Sequence, residues 1–302
     1  MYHDFSYPGV LSIGSRASWQ IDEVLPQDAK LDFTRPFLPE ALARVAALPG
    51  LTATERLTLN HVRGHEYLAI FGLVEEFILP FVINHLHTDF AADERLRALL
   101  QFAAEEAKHI QLFERFRTTF AAGFATPCAM IGPSEEIAAE VLRHDPLSVA
   151  LLILHIEWMS QRHYLESVRD DAGIEPLFAN LLRHHWIEEA QHAKLDTLIV
   201  EALAARRSTA EISAAVDGYL AICQFFDDGF AAQTKLNLTA FEQAIDRSLD
   251  GATRGAFLEG QHQALRGAYL GSGMIHPNFG ATLSAISPDA RATVQAAALA
   301  YC

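Results

Sequence analysis

The sequence predicts an all-α protein: a four-helix core over residues 52–206, an N-terminal arm over 1–51 and additional packing helices over 207–302, in one domain. Three observations lead there. From Thr52 onward the apolar residues recur with helical period, without the Val/Ile/Thr alternation or Asn-Gly signals of hairpins. A chain of 302 residues, half of them hydrophobic, can bury a large core, and no stretch is polar enough to link independent domains. Finally, carboxylates and imidazoles recur in two matched sets within apolar helical stripes.

The first 50 residues carry five prolines and little periodicity, so they read as an irregular arm with one short helix near Leu38 to Ala47. The first long helix is expected from Thr54 to His87, kinked at Pro80, which lacks a backbone donor. The second spans about Ala91 to Phe120. A long Gly- and Pro-containing connection, Ala122 to Asp145, has room for a short helix at Glu135 to Leu142. The third begins at Pro146, a residue suited to a first helical turn, and runs to about Asp170. The fourth runs from Glu175 to Ala205. Two further helices, Thr209 to Thr234 and Thr239 to Ala268, precede a Gly-, Pro- and Ser-rich segment, 271–288, and a last short helix.

The chemistry centres on the stretch Arg183 to His192. Positions i, i+4 and i+7 of a helix share one face, so His185, Glu189 and His192 point together, in a stripe with Leu181, Leu182, Ile199 and Val200. A carboxylate between two imidazoles in an aliphatic row is costly to bury without compensation, and a metal ion is the natural compensation. Glu106-Ala107-Lys108-His109 on the second helix matches Glu189-Ala190-Gln191-His192 on the fourth. Each has an upstream partner: Glu75 lies 31 residues before Glu106, and Glu157 lies 32 before Glu189. One Glu from each of two helices plus Glu-x-x-His from the other two is the ferritin-like di-metal carboxylate arrangement. A third copy, Glu259-Gly260-Gln261-His262, has no such partner and reads as chance.

Helix faces sort the neighbours. Glu75 shares its face with Leu68, Phe71, Ile78, Leu79 and Val82, whereas Glu76 shares one with His65, Ala69, Leu73 and Pro80. Glu75 is the favoured ligand, with Glu76 the alternative. Glu157 lies with Ala150, Ile153 and Leu154, whereas Glu166, among Arg162, His163, Arg169 and Asp170, reads as solvated. Glu105 and Glu188 each precede a ligand Glu, where an acid can hold the metal-bound His of the opposite helix by its free nitrogen. Asp196, one turn after His192, is a weaker candidate for such support, and His184 lies off the stripe. His185 is either a core histidine or a seventh ligand, and its place one turn before Glu189 favours ligation.

The net charge of −15 argues against nucleic-acid or anionic-membrane partners. There is no basic-then-apolar leader pattern, and the longest apolar run, Leu147 to Ile156, is too short to span a bilayer. Three scattered cysteines, Cys128, Cys223 and Cys302, suit a reducing compartment, so a cytoplasmic location is the expectation. A homodimer is a separate expectation.

Taken together, Glu75, Glu106-x-x-His109, Glu157 and His185-x-x-x-Glu189-x-x-His192 resemble the metal signature of the p-aminobenzoate N-oxygenases, the AurF-like non-haem di-iron oxygenases. Ferritins, desaturases and related hydroxylases share the two Glu-x-x-His motifs but generally lack the extra histidine. Glu75-Glu76-Phe77-Ile78 is similar to the family's first-helix ligand segment. The resemblance covers about residues 55–205. It departs from the family at Glu105 and Glu188, where Asp is common. It implies two iron ions that bind dioxygen as a peroxo-diferric species and oxidise an amine to hydroxylamine, nitroso or nitro, in secondary-metabolite biosynthesis. The amine would be an arylamine, an amino acid or a carrier-protein-bound amino acid. Electrons would come from an external donor, since no flavin or dinucleotide fingerprint is present. The competing readings are a di-iron C-hydroxylase or desaturase and a ferritin-like ferroxidase or storage protein. Manganese suits the same ligands as iron.

Overall fold

The computed structural model describes residues 2–84 and 93–302. Among them there is no strand, and the helices are α1 (Tyr7–Ala17), α2 (Ile21–Val24), α3 (Glu40–Ala43), α4 (Ala53–Asn84), α5 (Glu94–Gly123), α6 (Ser134–Leu142), α7 (Pro146–His163), α8 (Pro176–Ala204), α9 (Thr209–Ala244), α10 (Gly251–Arg266), α11 (Ser272–Met274), α12 (Pro277–Ile286) and α13 (Pro288–Ala298). The expected end of the first long helix at His87 and start of the second at Ala91 fall outside the described residues.

The four core helices start where the sequence supplies caps. Thr52 and Glu55 exchange side-chain-to-backbone hydrogen bonds at the head of α4. Asp93, Asp145 and Glu175 each accept a first-turn N–H, at Leu96, Leu147 and Phe178, and Pro146 and Pro176 occupy first-turn positions. Helix α4 packs along α5, and α7 along α8, with α5 also against α8. Together they form a ferritin-like four-helix bundle. Helix α9 closes the side formed by α4 and α7, while α1 lies across α5 and α8. A continuous apolar cluster reaches from Val10 to Tyr301 and draws on every long helix.

Four expectations need correction. The N-terminal arm is not irregular: Ser6 caps α1, Pro8 sits in its first turn, and Val10 is buried against the bundle. Gly14 is what lets α1 approach, since a Cβ there would overlap the side chains of Gln101 and Gln191. The break expected near 235–238 does not occur, and α9 runs through it. Its polar side chains are satisfied without breaking the helix: Thr234 and Thr239 bond back to the carbonyls of Phe230 and Lys235, and Asn237 is held by Gln233 and Glu66. Segment 271–288 is largely helical, because Pro277 and Pro288 begin helices and do not end them. The third helix passes into a π-helical turn, Tyr164–Val168, and a second such turn, Gly267–Gly271, follows α10. No helix among the described residues is long and apolar enough to cross a membrane. The cysteines Cys128, Cys223 and Cys302 are all free thiols.

Candidate metal centre

The bundle brings Glu75 from α4, Glu106 and His109 from α5, Glu157 from α7, and His185, Glu189 and His192 from α8 to its interior, all buried. Two groups of four emerge, each able to offer one donor atom per residue within 4.8 Å of the others. One is Glu75, His109, His185 and Glu189; the other is Glu106, His109, Glu189 and His192. His109 and Glu189 belong to both. Glu157 stands outside both groups, and its carboxyl interacts electrostatically with that of Glu189. Glu76 points away and is exposed. Helical phase separates the two: Glu75 lies one turn beyond Phe71, whose ring packs against that of His185 at 5.3 Å between centroids.

The imidazoles are fixed from behind. His109 Nε2 lies 2.9 Å from Glu188 Oε2, and His192 Nε2 lies 2.9 Å from Glu105 Oε2. Each acid therefore holds the histidine of the opposite helix, which turns Nδ1 of both rings inward. His109 Nδ1 lies 3.1 Å from Glu189 Oε1, and His192 Nδ1 lies 2.9 Å from Glu106 Oε1. His185 Nε2 sits between Glu75 Oε1 at 3.0 Å and Glu189 Oε1 at 3.1 Å. Asp196 is buried one turn beyond His192. His184 bonds its own helix at Asn180, Glu166 pairs with Arg162 at the surface, and His262 pairs with Asp227 while Glu259 is exposed.

The electrostatics show a cluster short of positive charge. Burial, with Glu75 beside it, raises the Glu106 carboxyl to about 8. Burial and Glu189 hold Glu157 well above the usual carboxylate range, and burial likewise raises Asp196. Burial opposes ionisation of Glu189 as well, but His185 and His192 outweigh it and hold that carboxylate well below its ordinary value. His109 and His192 are held well above the imidazole range: burial disfavours their charge, and the surrounding carboxylates more than reverse it. The four carboxylates Glu75, Glu106, Glu157 and Glu189 carry, when ionised, the charge that two divalent cations neutralise.

The residues fit such a pair of ions. The close approaches between imidazole Nδ1 and carboxylate lack hydrogen-bond direction, and the buried atoms without a directed hydrogen bond include Glu75 Oε2, both oxygens of Glu106, Glu157 Oε2, Glu189 Oε1 and the Nδ1 atoms of His109 and His192. These are the atoms turned inward, whereas the Nε2 atoms of the same two rings are bonded. Buried polar groups are ordinarily paired, so a convergent set of unpaired oxygens and nitrogens marks a place for cations. Carboxylate and imidazole donors suit iron or manganese.

Sequence reasoning missed the outermost layer. Lys108 pairs with Glu188, its ammonium lies 3.8 Å from the centre of the Trp19 ring, and it donates to the Trp19 carbonyl. Gln101 and Gln191 donate to Glu105 at 2.9 and 2.7 Å. Trp19 also donates its indole N–H to the His184 carbonyl at 3.0 Å, so the N-terminal arm is clasped over the centre. For Gln101, Lys108 and Gln191 the only signal was i±3 or i±4 spacing from Glu105 or Glu188, which any helix offers by chance, and for Trp19 there was none.

A four-helix bundle with paired Glu and Glu-x-x-His donors facing one another is a ferritin-like di-metal carboxylate protein. The chain matches the p-aminobenzoate N-oxygenase AurF family over residues 17–248, and it belongs to that family. It is accordingly an oxidase or oxygenase with a di-metal site. A search of curated proteins by sequence gives no match. Solved structures similar to this chain include two R2-like ligand-binding oxidases with an aerobically reconstituted Mn/Fe cofactor, one a tyrosine-to-phenylalanine and the other a valine-to-isoleucine mutant. Both are 13% identical to this chain, and each match covers 84% of this chain and 91% of the other, with TM-scores of 0.44 and 0.43.

Proposed function

We propose that this protein is a non-haem di-iron N-oxygenase that oxidises an amine to the hydroxylamine and onward to nitroso or nitro products in secondary metabolism. Glu75, Glu106, His109, Glu157, His185, Glu189 and His192 hold the metals. Two iron ions bound there supply reductive activation of dioxygen, with electrons from an external donor. The chain's own residues do the rest. Glu188 and Glu105 fix the rotation of His109 and His192, so the donor atoms are set before metal arrives. Phe71 and Phe113 pack on the His185 ring, Phe102 on His192 and Trp19 on His109, and they keep the centre dry.

The observation that carries the reading is His185, 3.0 Å from Glu75 and 3.1 Å from Glu189, because the third histidine distinguishes the N-oxygenase signature from the two-motif pattern. The test is to supply ferrous-loaded protein with oxygen, a chemical reductant and separate panels of amines and alkyl compounds, reading products by mass spectrometry. N-oxygenated product is expected. Oxidation confined to carbon, with amines inert, would make the protein a hydroxylase. His185→Ala should fold and retain metal on the remaining ligands, yet depress amine oxidation and alter the visible absorption that develops with oxygen.

A further inference from the structure

Beyond Phe71, between α4, α7 and α9, lies a cavity of about 40 Å³. One water needs roughly 10–15 Å³ of such space, so the cavity suits a molecule of a few atoms and not the carbon skeleton of an organic substrate. Its wall is apolar, with Ile70 and Val74 from α4, Leu152 and Ile156 from α7, and Phe226 and Phe230 from α9. Among the described residues, the only side-chain oxygen or nitrogen on it is the Tyr269 hydroxyl, which donates to the Tyr67 carbonyl at 3.1 Å. A water there would lack the several polar partners it needs, so the cavity is dry. One larger side chain would fill it, and an unfilled void costs stability.

The cavity stands between solvent and the metal centre. Its inner wall, with Phe71, Val74, Leu152 and Ile156, is buried, whereas Leu73, Ile131, Ile137 and Phe226 at the outer rim are half-buried. The same rim residues line two surface clefts, of about 590 and 480 Å³. At the inner end, Phe71 lines both the cavity and a recess of about 10 Å³ beside His185. The Phe71 ring packs on that of His185 with 5.3 Å between centres. The ligands Glu75 and Glu157 directly follow the wall residues Val74 and Ile156.

We propose that this cavity binds dioxygen and passes it to the metal centre, the gas entering between Ile131 and Phe226 and reaching the recess at His185 when the Phe71 ring turns. Dioxygen is diatomic, uncharged and apolar, so it moves from water into a dry apolar space, as xenon does. The inference rests on dioxygen being a substrate of the di-metal site, and not on nitrogen being the atom oxidised.

Xenon is the probe, because it shares this preference and needs no metal. Metal-free full-length protein should take up xenon, read by xenon nuclear magnetic resonance, and crystals under xenon pressure should show it between Val74, Leu152 and Phe230. Leu152→Phe, which fills the space, should abolish the uptake, whereas Leu152→Met, which keeps the volume, should retain it. Ferrous-loaded protein is then mixed with oxygen, and the rate of iron oxidation is plotted against oxygen concentration. The slope should fall severalfold in Leu152→Phe at unchanged iron content and stay at the wild-type value in Leu152→Met. Phe226→Ala, which opens the half-buried rim, should raise it severalfold, and this variant decides the matter if Leu152→Phe does not fold. Absence of xenon from the wild-type cavity overturns the proposal, as does an oxygen slope that neither filling the cavity nor opening the rim changes. If the slopes change as described and only carbon is oxidised, the dioxygen site stands and the N-oxygenase reading falls. If amines are N-oxygenated and folded Leu152→Phe keeps the wild-type slope, the N-oxygenase reading stands and the dioxygen site falls.

Discussion

His109 on α5 and Glu188 on α8 are 79 residues apart in sequence and 2.9 Å apart in space, and the Lys108 ammonium holds the other oxygen of the same carboxylate. Glu188 is thus fixed at both ends, and the ring it holds belongs to both donor groups. Glu105 does the same for His192, with Gln101 and Gln191 in place of the lysine.

Removing Glu188 should loosen the His109 ring without removing a donor atom from the centre. Glu188→Ala is expected to bind iron about 10- to 100-fold more weakly than wild type, with Glu188→Gln in between because it keeps one oxygen toward His109. A competition titration against a chelator measures this, and wild-type affinity in Glu188→Ala would remove the supporting role.

Wild-type protein supplied with ferrous iron should hold about two iron atoms per chain, as the paired donor sets require. Glu106→Ala and Glu189→Ala should each lose most of it, since Glu189 belongs to both groups of four and Glu106 contributes two unpaired oxygens. Elemental analysis decides, and full metal content in both variants would sink the di-metal assignment.

Helical phase makes a sharp comparison at adjacent positions. Glu75→Ala should lose metal, whereas Glu76→Ala, at an exposed position, should stay close to wild type in metal content and turnover. The reverse pattern would mean that α4 is rotated by about 100° from the orientation described.

Histidines away from the donor groups, His65 and His163 among them, set an acid limit on stability. Burial lowers His65 and His163 from 6.5 to about 4, with Arg117 and Arg162 acting in the same direction. The unfolded chain therefore binds more protons than the folded one between these values. Their contribution is complete above pH 6.5 and is lost as the pH falls toward 4, on the order of 1–3 kcal/mol for each group. In urea unfolding of metal-free protein, His65→Leu should flatten this limb, and an unchanged slope from pH 6.5 to 4 would contradict the assignment.

The sequence by itself determined the four core helices, because the caps at Thr52, Asp93, Asp145 and Glu175 and the 3.6-residue period are local. It also singled out Glu75, Glu106, His109, Glu157, His185, Glu189 and His192 as inward-facing, since i, i+3 and i+4 geometry within one helix fixes which side chains share a face. What crosses between helices was decided only by the tertiary structure. Lys108 on Glu188 and Trp19 over Lys108 depend on the relative depth and rotation of α5 and α8 and on where the N-terminal arm crosses them. The helical N-terminal arm and the unbroken α9 belong with them. Gly14 and Asn237 have weak intrinsic helix preference, but packing against Gln101 and hydrogen bonding to Glu66 outweigh it. Local preference is worth tenths of a kcal/mol to about one per residue, and burial against a neighbouring helix is worth more.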